Sequence, residues 1–167
     1  ALVRASTRAA ARVLARTKAD QKDRGLLAMA DELVAATQPI LDENAKDLAK
    51  AATSGLAKPM VERLTLNPER IAAMAEGIRQ VAALPDPVGE KIKEWTRPNG
   101  LRISKVRVPI GTVGIIYESR PNVTSDAAVL CTKTGNATIL RGGSESIHSN
   151  IAIAAAYAAF DLATANK

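Results

Sequence analysis

Almost nothing in this chain of 167 residues could cross-link it or hold a metal. It has one cysteine, Cys131, and one histidine, His148, so an intrachain disulfide is impossible and no zinc set can be completed from thiolate and imidazole. A reducing, cytoplasmic compartment and the absence of a metal are expected. Aromatic residues are scarce too, at 2%, although hydrophobic residues make up 47%. Much of that is Ala, which predicts a core of closely approaching helices and short aliphatic strands. The longest unbroken apolar run, residues 151–160, falls short of the roughly 18 residues needed to span a bilayer, and no membrane partner is expected.

Acidic residues are missing from the first 18 positions, which hold Arg4, Arg8, Arg12, Arg16 and Lys18. The remaining residues carry 18 bases against 17 acids, so the net charge of +6 is local to this stretch. A nucleic-acid partner is therefore not expected. Arginines at a spacing of four lie along one side of a helix, with Val3, Val13 and Leu14 available to face inward, and a solvated helix face accounts for them. Two alternatives stay open: a noncatalytic basic module that grips an anion, and an Arg-rich targeting presequence. Against the second, Asp20 and Asp23 follow at once.

The first half has apolar residues at helical spacing over residues 2–18 and 20–37, then from Pro39 to Ala52, with a stop at Ser54-Gly55 and a short helix from Lys58 to Leu64. Asn67-Pro68-Glu69 supplies an N-cap, a proline at the first helical position and an acid in the first turn. The helix it opens is expected to run to Leu84. From Lys91 to Pro109 the period drops to about two, and Pro98-Asn99-Gly100 provides a turn with positive φ, which predicts a β-hairpin. Such a pair is marginal alone and is expected to pack on another subunit.

After Thr112 the pattern becomes β-α-β-α. "TVGIIY" reads as a strand buried on both faces of a parallel sheet and "ATIL", residues 137–140, as a second. A helix from Thr124 to Thr134 ends at Gly135, and Ser144 or Ser146 caps a last helix that continues through Tyr157 and Phe160. The expected division is a helical part (1–88), a hairpin (89–109) and a βαβα part (110–167).

Ligands of open parallel sheets sit at the carboxyl ends of the strands, here the loops around Glu118–Val123 and Arg141–Ser144. Arg141, Gly142, Gly143 and Ser144 offer a cation, close backbone approach and helix amides that attract phosphate. Neither GxGxxG nor GxxxxGK[ST] is present, so no usual nucleotide fingerprint supports this. Asn122 after Pro121 could donate to a developing oxyanion, or serve as a turn or capping residue. Cys131, flanked by apolar residues, reads as a buried inert thiol, and His148 as a surface or capping residue.

Together, "YESRPNVT", "KTGNA" and "ILRGG" closely resemble the glutamate-5-semialdehyde dehydrogenase (γ-glutamyl phosphate reductase) family, the proline-pathway branch of the aldehyde dehydrogenase superfamily. The resemblance extends over nearly the whole chain. It implies an α/β fold in which N-terminal helices precede the start of a parallel Rossmann-like sheet, with a protruding hairpin used for homo-oligomer formation. It implies reduction of L-glutamyl 5-phosphate by NADPH, with glutamate 5-kinase as a channel partner. It places Asn122 as the oxyanion-hole residue and Ser119, Arg120 and Pro121 along the nicotinamide end of the cofactor groove. Arg120 is also a candidate for meeting the anionic substrate.

Many superfamily members carry a lysine at the position of Arg141 and a glutamate at that of Ser144. An acid there would repel a 2′-phosphate, whereas Arg141 with Ser144 accepts one, which points to NADPH. An NAD-dependent aldehyde oxidiser of another type is the competing enzyme reading. The family's nucleophilic cysteine belongs to a later catalytic segment, which Cys131 does not match, so this chain is expected to be a cofactor-side fragment, inactive alone.

Overall fold

The structure is a computed structural model that describes the backbone of residues 2–158 and the side chains of residues 6–158. The predicted helical continuation to Phe160 and the side-chain roles of Val3 and Arg4 lie outside the described residues. Five helices fill the first half: α1 (Leu2–Leu14), α2 (Ala19–Ala35), α3 (Thr37–Thr53), α4 (Lys58–Leu64) and α5 (Pro68–Ala83). α5 starts as its sequence dictates. The Asn67 side chain accepts the Arg70 amide at 2.7 Å, Pro68 opens the helix, and Glu69 faces the positive end of the dipole.

α1 differs from expectation. It ends before residue 18, and Val13 is 59% exposed, not turned inward; the buried position is Ala11. α1 lies against the parallel strands, and Ala11 allows a closer approach there than Val13 would. Arg8, Arg12 and Arg16 are exposed, and Arg8 and Arg12 border a cavity shared with Thr112 and Ile139 of the strands.

The core joins both halves of the sequence. Leu26, Met29 and Leu33 of α2 interlock with Ile71, Met74 and Ile78 of α5, while Ile40, Val129 and Ile153 close the cluster from α3 and the last two helices. Each such side chain contributes about 1.5–3 kcal/mol when fully buried. Residues before the hairpin and after it thus share one interior.

The hairpin stands apart from that interior. β1 (Lys91–Thr96) pairs antiparallel with β2 (Arg102–Val106), placing Trp95 opposite Ile103, and Gly100 turns at φ 83°. Every β1 residue is exposed. Glu94 binds Lys91, Ser104 and Arg102, and these hydrogen bonds, Lys91 foremost, hold its carboxyl down to about 2.

β3 (Thr112–Ile116) and β4 (Ala137–Arg141) pair in parallel, with Thr112 beside Ala137 and Ile116 beside Arg141. The helix α6 (Pro121–Lys133) connects them, and a 3-10 turn, Ser144–Ser146, leads into α7 (Ile147–Ala158). The TGN turn is fixed by Gly135 at φ 72°, where an added Cβ would lie 3.0 Å from Pro109. Asn136 then accepts the Gly111 amide at 2.8 Å.

Three expectations are corrected here. β3 is not buried on both faces: of both strands only Ala137 is buried, and Ile116 is 78% exposed. Two strands leave both edges open, and α1 and α6 cover only part of their faces. Second, α6 begins at Pro121 and not at Thr124, because Arg120 before the proline is held extended and the fixed proline φ starts the helix at once. Third, the first amides of α7 are capped by neither serine. Asp47, fully buried on α3, accepts the amides of His148 at 3.2 Å and Ser149 at 2.8 Å and the Ser149 hydroxyl at 2.6 Å.

Two further polar clusters fix the frame. Lys22, 1% exposed, donates to the Lys133 carbonyl at 3.0 Å and pairs with Asp86 at 2.5 Å. Lys133 pairs with Asp23 at 2.5 Å and donates to the Ala82 carbonyl at 2.8 Å. These contacts tie α6 to α2 and to the end of α5. At the strand exits, Ser119 sits at a positive φ of 27°, and both its amide (2.9 Å) and its hydroxyl (2.6 Å) donate to Glu145. The Ser119 hydroxyl is the largest influence holding the Glu145 carboxyl below its ordinary value. Among the described residues no helix is long and apolar enough to cross a membrane, and no group of three His, Cys, Asp or Glu side chains is placed to hold a metal.

Replacing Lys133 with Ala leaves Asp23 and the Ala82 carbonyl without their partner, and is expected to lower the unfolding free energy in urea by about 3 kcal/mol; a loss below about 1 kcal/mol would show the cluster to be dispensable. Because the folded-state value of Glu145 lies below its reference of 4.5, its contribution is present above that pH and is lost as pH falls through the folded value. The stability advantage of the natural chain over Glu145→Gln should therefore stay constant near neutrality and shrink in acid. Urea melts across that range test this, and a pH-independent difference contradicts it.

Candidate functional site

The carboxyl ends of β3 and β4 carry the residues singled out in the sequence. Arg141 is the last residue of β4, and its carbonyl extends the ladder by accepting the Tyr117 amide at 3.1 Å. Its side chain is exposed and has no hydrogen bond or ion pair among the described residues. Ser144 is exposed beside it, and the Lys50 ammonium, from α3, donates to the Ser144 carbonyl at 3.4 Å. Two cations thus flank one loop. Lys50 was invisible to motif reading, since 94 positions separate it from Ser144.

The loop glycines answer first to the chain's own packing. A Cβ on Gly142 would fall 2.1 Å from the Asn150 amide nitrogen, and one on Gly143 would fall 2.2 Å from the Glu145 carboxylate. Asn150 cannot give way cheaply, because it accepts from Thr124 at 3.0 Å and donates to Ser146 at 3.0 Å. The expected phosphate-binding helix amides are also partly committed: those of His148 and Ser149 already serve Asp47, whose carboxylate compensates that end of α7. The groups left for a phosphate at this loop include side-chain charge, from Arg141 and Lys50, together with the Ser144 hydroxyl.

The residues after β3 divide between two directions. Ser119 is buried and bound to Glu145, which joins it to the Gly143–Ser144 loop. Its left-handed backbone is uncommon for a residue with a side chain, and the paired hydrogen bonds hold it there. Pro121 is buried at the first turn of α6. Arg120 and Asn122 instead border a cleft of about 450 Å³ on the side of α4 and α5, which Arg63, Arg70 and Asp126 also line. The sequence did not point to Arg63, Arg70 or Asp126.

Asn122 is a helical residue and not a loop residue. Its side-chain amide donates to Asp126, one turn on, at 3.1 Å. Desolvation raises the Asp126 carboxyl above its ordinary value, against the lowering effect of that hydrogen bond. Cys131 is 7% exposed within α6, and His148 is a surface residue whose Nδ1 lies 3.5 Å from Glu43. The burial of Cys131 and the exposure of His148 are as expected.

No family model matches the chain. A γ-glutamyl phosphate reductase of Paramagnetospirillum magneticum is 58% identical over 146 residues, covering 87% of this chain and 34% of that protein. The crystal structure of γ-glutamyl phosphate reductase from Thermotoga maritima superposes with a TM-score of 0.87 at 44% identity, over 90% of this chain and 36% of that one. A probable aldehyde dehydrogenase from Listeria monocytogenes, at TM-score 0.58 and 17% identity over 92% of this chain and 32% of that one, shares the fold. The chain spans about a third of the length of the curated relatives it matches. With an α/β fold of the aldehyde dehydrogenase type and this degree of identity, the chain is similar over most of its own length to about a third of several γ-glutamyl phosphate reductases.

Proposed function

We propose that this chain supplies the cofactor-binding side of an NADPH-dependent reductase acting on L-glutamyl 5-phosphate in the cytoplasm, in proline biosynthesis. The reaction replaces the phosphate of an acyl phosphate by hydride, consuming one NADPH and one proton and releasing glutamate 5-semialdehyde, NADP⁺ and phosphate. The reduced nicotinamide supplies the hydride when bound. The observation that carries the cofactor half of the reading is the pair of cations at the end of β4, exposed Arg141 and Lys50 beside Ser144. This arrangement suits a 2′-phosphate, which an acid in place of Ser144 would repel, and it speaks against an NAD-dependent oxidiser.

Roles follow from position. Arg141 and Ser144 bind the phosphate, with Lys50 adding charge. Gly142 and Gly143 keep the loop low, so that the cofactor backbone can pass. Ser119, locked to Glu145, fixes the separation of the two strand exits, and Arg120 and Pro121 border the groove toward the reacting end. Asn122 is placed to hold the substrate oxygen only if its amide turns from Asp126, since that carboxylate occupies it here. The only cysteine, Cys131, is buried, so thioester chemistry needs a thiol from outside these residues. The substrate is a labile mixed anhydride, so a kinase acting on the γ-carboxylate of glutamate, glutamate 5-kinase, must deliver it from nearby.

The segment 89–109 is proposed as the contact between copies, separate from the interior that described residues before and after it share. Its strands expose Ile92, Trp95 and Val106 and offer open edges.

Exchanging Arg141 for Glu should weaken NADPH binding at least about tenfold more than NADH binding, as loss and inversion of a charge-assisted contact require; equal losses, read by fluorescence titration, refute the assignment. Replacing residues 91–106 with a short Gly-Ser link should lower the sedimentation mass of the associated species to that of one chain while the circular-dichroism melt is retained. An unchanged mass places the contact elsewhere.

A further inference from the structure

The cleft between α4, α5 and the start of α6 holds a concentration of charge that, Arg120 apart, the cofactor reading does not use. Three arginines, Arg63, Arg70 and Arg120, line it together with one carboxylate, Asp126, over an apolar floor that includes Leu66 and Met74. Arg70 is already committed. Its Nη1 donates to the carbonyls of Glu62 at 2.7 Å and Thr65 at 2.5 Å, which makes it a fixed part of the wall. Arg63 and Arg120 are exposed, and the side chain of neither makes a hydrogen bond or ion pair among the described residues.

Like charges facing one cavity repel unless an anion joins them. A guanidinium is built for that task, since its planar fork matches a carboxylate through two parallel hydrogen bonds. Asp126 adds the opposite sign within the same walls. Asn122 holds it from one turn earlier at 3.1 Å, and desolvation already works against its charge, a cost that a neighbouring ammonium would relieve. Cation, anion and an apolar floor in one cleft complement a molecule with a carboxylate, an ammonium and a short methylene stem.

We infer that this cleft takes the α-amino-acid head group of the substrate, its carboxylate on Arg63 and Arg120 and its ammonium on Asp126. The inference rests on the proposed reaction, whose substrate carries that head group at the end away from the reacting acyl phosphate. Discrimination against simple dicarboxylates comes from the carboxylate of Asp126, which has no attractive partner on a ligand lacking an ammonium and repels its negative charge.

The test is a nitrogen-15 NMR titration of this chain, following the arginine Nε–H signals. The probes are L-glutamate, glutarate (which lacks the ammonium) and inorganic phosphate. L-Glutamate should shift the Arg63 and Arg120 signals saturably, and glutarate should bind at least about tenfold more weakly, as expected for loss of one charged pair. Arg63→Gln should weaken L-glutamate by a similar factor, and Arg63→Lys should recover part of the loss. Asp126→Asn should erase the preference over glutarate without disturbing the remaining spectrum, which also reports that each variant is folded.

Three results overturn the inference: L-glutamate leaves both signals unmoved, glutarate binds as well as L-glutamate, or phosphate binds more tightly than either and marks a general oxyanion site. A separate NADPH titration keeps the two proposals apart. NADPH binding without an L-glutamate response sinks the head-group site alone, whereas an L-glutamate response without NADPH binding sinks the cofactor reading.

Discussion

A carboxylate with no access to solvent, that of Asp47, decides where α7 begins. Burying an ion is costly unless its lone pairs are filled, and three donors from the first turn of α7 fill them. One turn earlier on α3, Asn44 is equally closed in. It donates to the Leu64 carbonyl and the Ser149 hydroxyl, and accepts the Leu66 amide, each at 2.9 Å. A single face of α3 therefore docks both α7 and the link between α4 and α5. From α7 the order continues through Asn150 to Ser146 and Thr124, and so to the floor beneath Gly142. The strand-exit loops inherit their shape from a contact in the helical half of the chain.

Local chemistry was readable in the sequence, and long-range chemistry was not. The limits of α4, the cap and proline of α5, the glycine turn of the hairpin and the stop at Gly135 each depend on residues within a few positions of one another. α6 starts three residues before the expected Thr124, because a proline suits a first helical turn as well as a bend. The α7 cap was assigned to a nearby serine, whereas the structure uses a partner about a hundred positions away. Val13 was placed inward from periodicity alone, which marks a face of a helix but not which residue on it lies closest to the sheet. The exposed side of β3 was missed for a related reason: an aliphatic run shows that a strand is suited to burial, not how many strands and helices are there to bury it.

The candidate site shows the same division. The motif residues do converge on the ends of the two parallel strands, as an open α/β sheet requires. The partners that give them electrostatic meaning, Lys50 and Glu145 at one loop and Arg63 and Arg70 beside the other, come from other elements and carry no motif. The result is two neighbouring surfaces of different character. One joins the strand exits through an internal carboxylate on Ser119, and the other gathers guanidinium groups above apolar side chains.

Seclusion of the lone thiol has an effect on how association of this chain can be interpreted. While α6 stays closed, Cys131, 7% exposed, has no route to the sulfur of a second copy, so any contact between copies leaves no covalent trace. Disulfide-linked pairs in an oxidised sample would therefore record molecules that had opened, and would say nothing about the surface by which intact ones meet.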